Sequence, residues 1–292
     1  MPTPSQHSPQ WYDRMYNNRE RVPDAPIFLQ RWQQSSAAVR MSQSKRIDLR
    51  YGPGAKETLD IFPGKASGAP VLVFIHGGYW CRLDKSDHSF IASAFTRTGA
   101  CVIVPNYALC PGLPGDEVTV PRIAMQMVAA LAWTWRNVAA YGGDPNRICV
   151  VGHSAGGHLA AMMLACLWRA YGADLPENLV KSAISISGLH ELESIRRTPH
   201  LQAQLNLMNE QVRKASPALL SAPHAGTLHA VVGADESREF LRQNRLIQQA
   251  WGKERVPVCE ALPGLNHFSV LEALIEPGHR LNRLARQLLG TD

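Results

Sequence analysis

Val71 to Ile75 (VLVFI) is an unbroken apolar run, with no polar residue to turn toward water on either side. Cys101–Pro105, Ile148–Val151, Ala183–Ile186, Leu228–Val232 and Val256–Ala261 are similarly short and largely apolar. A strand with one wet face alternates in polarity; a strand that is apolar throughout must be covered on both sides. Between these runs lie helical stretches. The longest covers about Val118–Tyr141 and is closed by Gly142–Gly143 and Asp144–Pro145, while HLAAMMLACLW follows Ile148–Val151 almost directly. Two further short strands are expected near Lys45–Arg50 and Thr58–Phe62, separated by the turn-rich YGPG. The predicted fold is therefore α/β, a mostly parallel central sheet of about eight strands with helices on both faces. In such a sheet the binding crevice lies beyond the carboxyl ends of the strands, so the residues just after each strand carry the functional information.

Bulk properties narrow the class. The 292 residues are 45% hydrophobic and 18% charged, with no solenoid-type period, which fits one large domain at 45–292 rather than a repeat or disordered chain. Residues 1–44 are polar and aromatic, with prolines at 2, 4, 9, 23 and 26, and read as an N-terminal arm packed on that domain. Within the arm, Ile27–Val39 is expected to form a helix with Leu29 and Trp32 on one side. The net charge of +6 is spread out rather than gathered into a stripe, so neither nucleic acid nor a membrane is an expected partner. No apolar run is long enough to span a bilayer, and the first residues lack a secretory apolar core. The six cysteines contain no Cys-x-x-Cys pair and are read as reduced, in a cytoplasmic protein without a zinc site. No metal or other cofactor is expected, and a homo-oligomer is left open.

Chemistry enters after Ile148–Val151, where Gly152-His153-Ser154-Ala155-Gly156 gives G-x-S-x-G between a strand and a helix. The turn this motif makes is so tight that side chains two residues either side of the serine would collide, which explains both glycines. Ser154 is the expected nucleophile. It needs a base, and the base needs a carboxylate to orient it, in the chain order Ser, acid, His. Of eleven histidines, His267 sits on a loop directly after Val256–Ala261 and is the expected base. The acid should follow Leu228–Val232, which runs into Gly233-Ala234-Asp235-Glu236-Ser237. Asp235 is the expected acid and a possible helix cap, with Glu236 the alternative; Glu236 and Glu239 are expected to face outward on the next helix.

Acyl transfer builds negative charge on the carbonyl oxygen, and backbone amides aimed at it stabilise the transition state. The amide of Ala155, after the nucleophile, is one expected donor. The others should come from a loop where backbone approaches substrate without side-chain obstruction, and Gly77 and Gly78, in VLVFIHGGYW, meet that need.

These motifs together resemble the α/β-hydrolases, and more narrowly the arylformamidase (kynurenine formamidase) branch, related to esterases of the hormone-sensitive-lipase type. Those esterases carry HGGG, whereas the formamidase branch carries HGG-x-W, as His76-Gly77-Gly78-Tyr79-Trp80 does. The similarity continues in Asn106-Tyr107, HSAGGHLAAMM (153–163), SGLHELESI (187–195), VVGADESREF (231–240) and NHF (266–268). The resemblance implies a metal-free serine hydrolase that cleaves N-formyl-L-kynurenine to kynurenine and formate. It also implies Ser154, Asp235 and His267 as the triad, and the amides of Gly78, Tyr79 and Ala155 as oxyanion donors, with Gly77 shaping the loop. His76 would organise that loop by hydrogen bonding, and Trp80 would pack beneath it. The branch also contains broad carboxylesterases for aryl and short-chain esters, which is the alternative activity; a non-catalytic scaffold is a further one. The pocket separating a formamide from an ester would be built from the arm, the Leu83–Phe90 loop and segment 189–215.

Overall fold

The computed structural model describes residues 7–292; the first six residues of the N-terminal arm lie outside the described residues. Eight strands form one sheet: β1 Arg46–Arg50, β2 Thr58–Phe62, β3 Ala69–Ile75, β4 Cys101–Pro105, β5 Gly143–His153, β6 Val180–Ile186, β7 Thr227–Gly233 and β8 Val258–Leu262. Their order is β1-β2-β4-β3-β5-β6-β7-β8. β2 pairs antiparallel with both β1 and β4, and every other pairing is parallel.

The expected alternation of buried faces is visible within β3. Val71, Val73 and Ile75 join one core, while Leu72 and Phe74 join the other. Opposite faces of a pleat serve opposite layers because side chains alternate with period two. The first layer includes α5 (Val120–Asn137), α6 (Ala155–Leu164) and the helix Arg238–Arg255. The second includes α3 (Ala25–Ser42), α4 (Phe90–Thr96) and the two C-terminal helices. Among the described residues no helix is long and apolar enough to cross a membrane.

Register aligns the functional strand ends. Ile75 lies beside Gly152, His153 beside Ile186, Ile186 beside Val231, and Gly233 beside Leu262. The residues that follow β3, β5, β6 and β7 are therefore forced onto one edge of the sheet.

The arm is folded as helices α1 (Pro9–Tyr16), α2 (Asn18–Arg21) and α3. The helix foreseen at Ile27–Val39 extends to Ala25–Ser42 because Pro26 can occupy its first turn without losing a needed N–H. Its far end is tied to the sheet by Arg40, which pairs with the fully buried Asp60 of β2. Lys85 binds the other oxygen of Asp60 at 2.6 Å, so this buried carboxylate has two cationic partners, as a charge taken out of water requires.

Candidate active site

The turn between β5 and α6 has the strain that the glycine pattern foretold. Ser154 sits at φ 57°, ψ −118°, a conformation costing a non-glycine residue about 1–3 kcal/mol. A Cβ on Gly152 would come within 1.9 Å of the Gly156 carbonyl oxygen, and one on Gly156 within 2.0 Å of the Ile75 carbonyl oxygen. Both positions exclude any side chain. The Ser154 amide is fixed by donation to the Ile186 carbonyl at 2.8 Å.

His267 stands on the same cavity as Ser154. Its backbone carbonyl accepts from His153 Nε2 at 2.8 Å, and its ring lies between the rings of His153 and Phe240, with centroids 4.8 and 4.5 Å away. Burial, then the neighbouring His267, hold His153 well below the usual histidine range. A neutral His153 thus anchors the backbone of its neighbour without competing for a proton.

The carboxylate on His267 is not Asp235. Glu236 Oε2 accepts from His267 Nδ1 at 2.6 Å, and Glu236 Oε1 accepts from the Ser187 hydroxyl at 2.5 Å and the Gly233 amide at 2.9 Å. Asp235 is exposed. The reason is the turn. The Ala234 and Asp235 amides donate to the Leu262 and Leu265 carbonyls, continuing the β7–β8 register past the strand, and the Glu236 amide closes back on the Gly233 carbonyl. That hairpin-like closure sends residue 235 outward and residue 236 inward. The helix that follows is capped by Ser237, whose hydroxyl accepts from the Phe240 amide, and not by Asp235. Glu239 also faces inward, in a buried cluster with Arg242 and Tyr16. The signal that could have separated the two carboxylates was the capping Ser237, since a cap there fixes the turn before it. Ser187, which holds Glu236 from the end of β6 at a positive φ of 53°, had no local signal.

Opposite the elbow, the loop after β3 is held from behind. The Tyr107 hydroxyl donates to the carbonyls of His76 and Gly77 at 2.9 and 3.1 Å, and His76 Nδ1 lies 2.8 Å from the Gly77 carbonyl. Burial lowers the pKa of His76 to about 4, so the ring is neutral and organises the loop, as expected. In a planar trans peptide the N–H points opposite to the C=O, so pinning the Gly77 carbonyl turns the Gly78 amide to the other side. Among the described residues none accepts from the amides of Gly77, Gly78, Tyr79 or Ala155. The loop also approaches Ser154: a Cβ on Gly77 would lie 2.8 Å from the His153 carbonyl oxygen and 3.1 Å from Ser154 Cβ.

Tyr79 and Trp80 both hold positive φ, 49° and 56°, after Gly78 at 103°. Trp80 is fully buried with its ring edge-on to His158 at 5.0 Å, and it does not line the cavity. Tyr79 does line it, and its phenol is fastened to the arm: it donates to the Tyr16 carbonyl at 2.8 Å and accepts from Asn18 Nδ2 at 3.2 Å. The arm's role in holding this loop was not legible in the sequence, because the contact joins residues 63 positions apart.

The cavity itself has a volume of about 300 Å³, at the small end of ligand pockets. Tyr16 and Trp32 from the arm, Leu83 from the loop after the glycines, Leu201 from segment 189–215 and Phe268 form its apolar wall. All three segments expected to shape the pocket contribute. Among the described residues no cluster of His, Cys, Asp and Glu could hold a metal ion.

The family model described as BD-FAE matches residues 59–224, which include the HGGYW loop and Ser154. The kynurenine formamidase of Danio rerio is 27% identical over 252 residues, covering 84% of this chain and 82% of its own. The esterase LipC of Mycobacterium tuberculosis is 29% identical over 255 residues, covering 78% of this chain and 60% of its own. A crystal structure from Silicibacter sp., described provisionally as a thioesterase, superposes with a TM-score of 0.79 at 29% identity, covering 92% of this chain and 96% of its own.

Proposed function

This chain belongs to the BD-FAE family and has the α/β-hydrolase fold, and on that premise we propose that it is a serine hydrolase cleaving an aryl formamide, with N-formyl-L-kynurenine as the leading substrate, through a formyl-enzyme. The observation that carries this reading is one shared cavity that holds Ser154, a His267 oriented by Glu236, and a glycine loop whose amides have no protein acceptor.

In the reaction Ser154 Oγ attacks the formyl carbon while His267 Nε2 takes the hydroxyl proton. Glu236 keeps the remaining ring proton on Nδ1 and stabilises the imidazolium without accepting the proton. The developing oxyanion is met by the amides of Gly78 and Ala155, each worth roughly 10²- to 10³-fold by analogy with measured oxyanion donors. Tyr79 supplies a further amide from the same loop. Collapse breaks the C–N bond, and His267 returns its proton to the departing aryl amine. Water then attacks the formyl ester with His267 again as base, releasing formate and restoring Ser154.

The aromatic wall of Trp32, Phe268, Tyr16 and Tyr79 suits an aryl leaving group. The similarity to LipC supports a second activity, on small esters, with the same residues in the same roles. The deciding experiment compares kcat/KM for N-formyl-L-kynurenine with that for p-nitrophenyl acetate and butyrate. Formamide turnover above ester turnover is expected; negligible formamide turnover beside fast ester cleavage would leave the esterase reading. Ser154→Ala should remove about four or more orders of magnitude from either activity, and retention of activity would exclude the serine mechanism.

A further inference from the structure

Two arginines line the cavity without an ion pair to a carboxylate. Arg19 comes from α2 in the arm, and Arg82 follows the Tyr79-Trp80-Cys81 segment; both line the cavity and both are exposed. Neither takes part in an ion pair among the described residues. The acidic neighbour of Arg19, Glu20, is taken up by Asn17, which donates to it at 2.9 Å and accepts from its amide. Arg82 lies beside the thiol of Cys81. His200, also on the wall, turns Nδ1 to Asp13 at 2.7 Å. Not one of the cavity-lining residues is Asp or Glu.

We propose that the substrate carries a carboxylate on its leaving-group side, held by Arg19 and Arg82, and that a neighbouring ammonium group is not recognised. This rests on the hydrolase reading above and sharpens it. The preferred class becomes aryl formamides bearing a carboxylate, of which an amino-acid side chain is only one form. Guanidinium is suited to the task because its fixed fork of donors matches a carboxylate in a planar, two-point contact. An ammonium would need an anionic or carbonyl-rich partner, and the charged side chains of this cavity are all basic. Because the arginines are exposed, the contact is screened by water and salt, so the expected effect per residue is moderate and falls on KM.

The test uses the full chain and four formamides read by release of the aryl amine: N-formyl-L-kynurenine, its analogue lacking the amino group, its carboxamide, and formanilide. In the wild type the deaminated analogue should match N-formyl-L-kynurenine within about threefold in kcat/KM, while the carboxamide should fall about 30-fold through KM. In the Arg19→Ala/Arg82→Ala variant, with its melting temperature checked against wild type, the ratio of carboxylate to carboxamide kcat/KM should collapse toward one. Raising the salt concentration should shrink the same ratio in the wild type. A deaminated analogue as poor as the carboxamide would overturn the proposal, as would a ratio that survives the double variant. Those failures leave Ser154-dependent turnover of formanilide and p-nitrophenyl acetate standing. If the wild type turns over none of these compounds, the hydrolase reading itself falls.

Discussion

The ends of β5 and β7 place Ser154 and the carboxylate that orients His267, and they specify them differently. At the end of β5, local sterics decide everything: Gly152 and Gly156 leave no room for a Cβ, and the serine between them has one place to go. At the end of β7, two adjacent carboxylates are chemically equivalent candidates, and the choice falls to hydrogen bonds accepted by the Leu262 and Leu265 carbonyls and donated by the Ser187 hydroxyl. A motif enforced by van der Waals collision is visible in the chain; one enforced by partners from other strands is not.

Four substitutions would break or sharpen this contrast. Gly156→Val should have the largest effect, because its Cβ would sit 2.0 Å from the Ile75 carbonyl oxygen between two strands. The expected result is loss of the cooperative thermal transition, and a native melting curve would contradict the steric account. Glu236→Gln should fold normally but lose roughly 10³- to 10⁴-fold in kcat, since an amide leaves His267 without its fixed tautomer. Full activity in that variant would return the orienting role to another acid.

Tyr79→Phe removes only the hydroxyl that joins the glycine loop to Tyr16 and Asn18. A fall of about tenfold in kcat with little change in KM is expected, because the loop's amides meet the transition state rather than the ground state. A rise in KM alone would make Tyr79 a substrate contact instead. The smallest effect belongs to Asp235→Asn, which should stay within about twofold of wild type in kcat/KM, as an exposed residue without a site contact requires. Steady-state kinetics on one ester and one formamide separate these outcomes.

The arm and the sheet offer the same lesson at a larger scale. Six of the sheet's strands were legible because continuous apolar runs can only be buried on both faces, and all eight occur near the expected places, some longer than expected and the last shifted to Val258–Leu262. The HGGYW glycines, the elbow serine and His267 were legible because each chemistry needs a residue type at a strand end. The helix carrying Leu29 and Trp32 was legible too, but not that it would roof the cavity.

What the sequence by itself determined is therefore the fold, the elbow serine, the histidine on the same cavity and the glycine loop opposite them, since backbone sterics and burial act over a few residues. The tertiary structure alone decided that Glu236 rather than Asp235 faces His267, that Tyr107 and the arm pin the glycine loop, and that Arg19 and Arg82 line the same cavity. Each of these depends on partners distant along the chain.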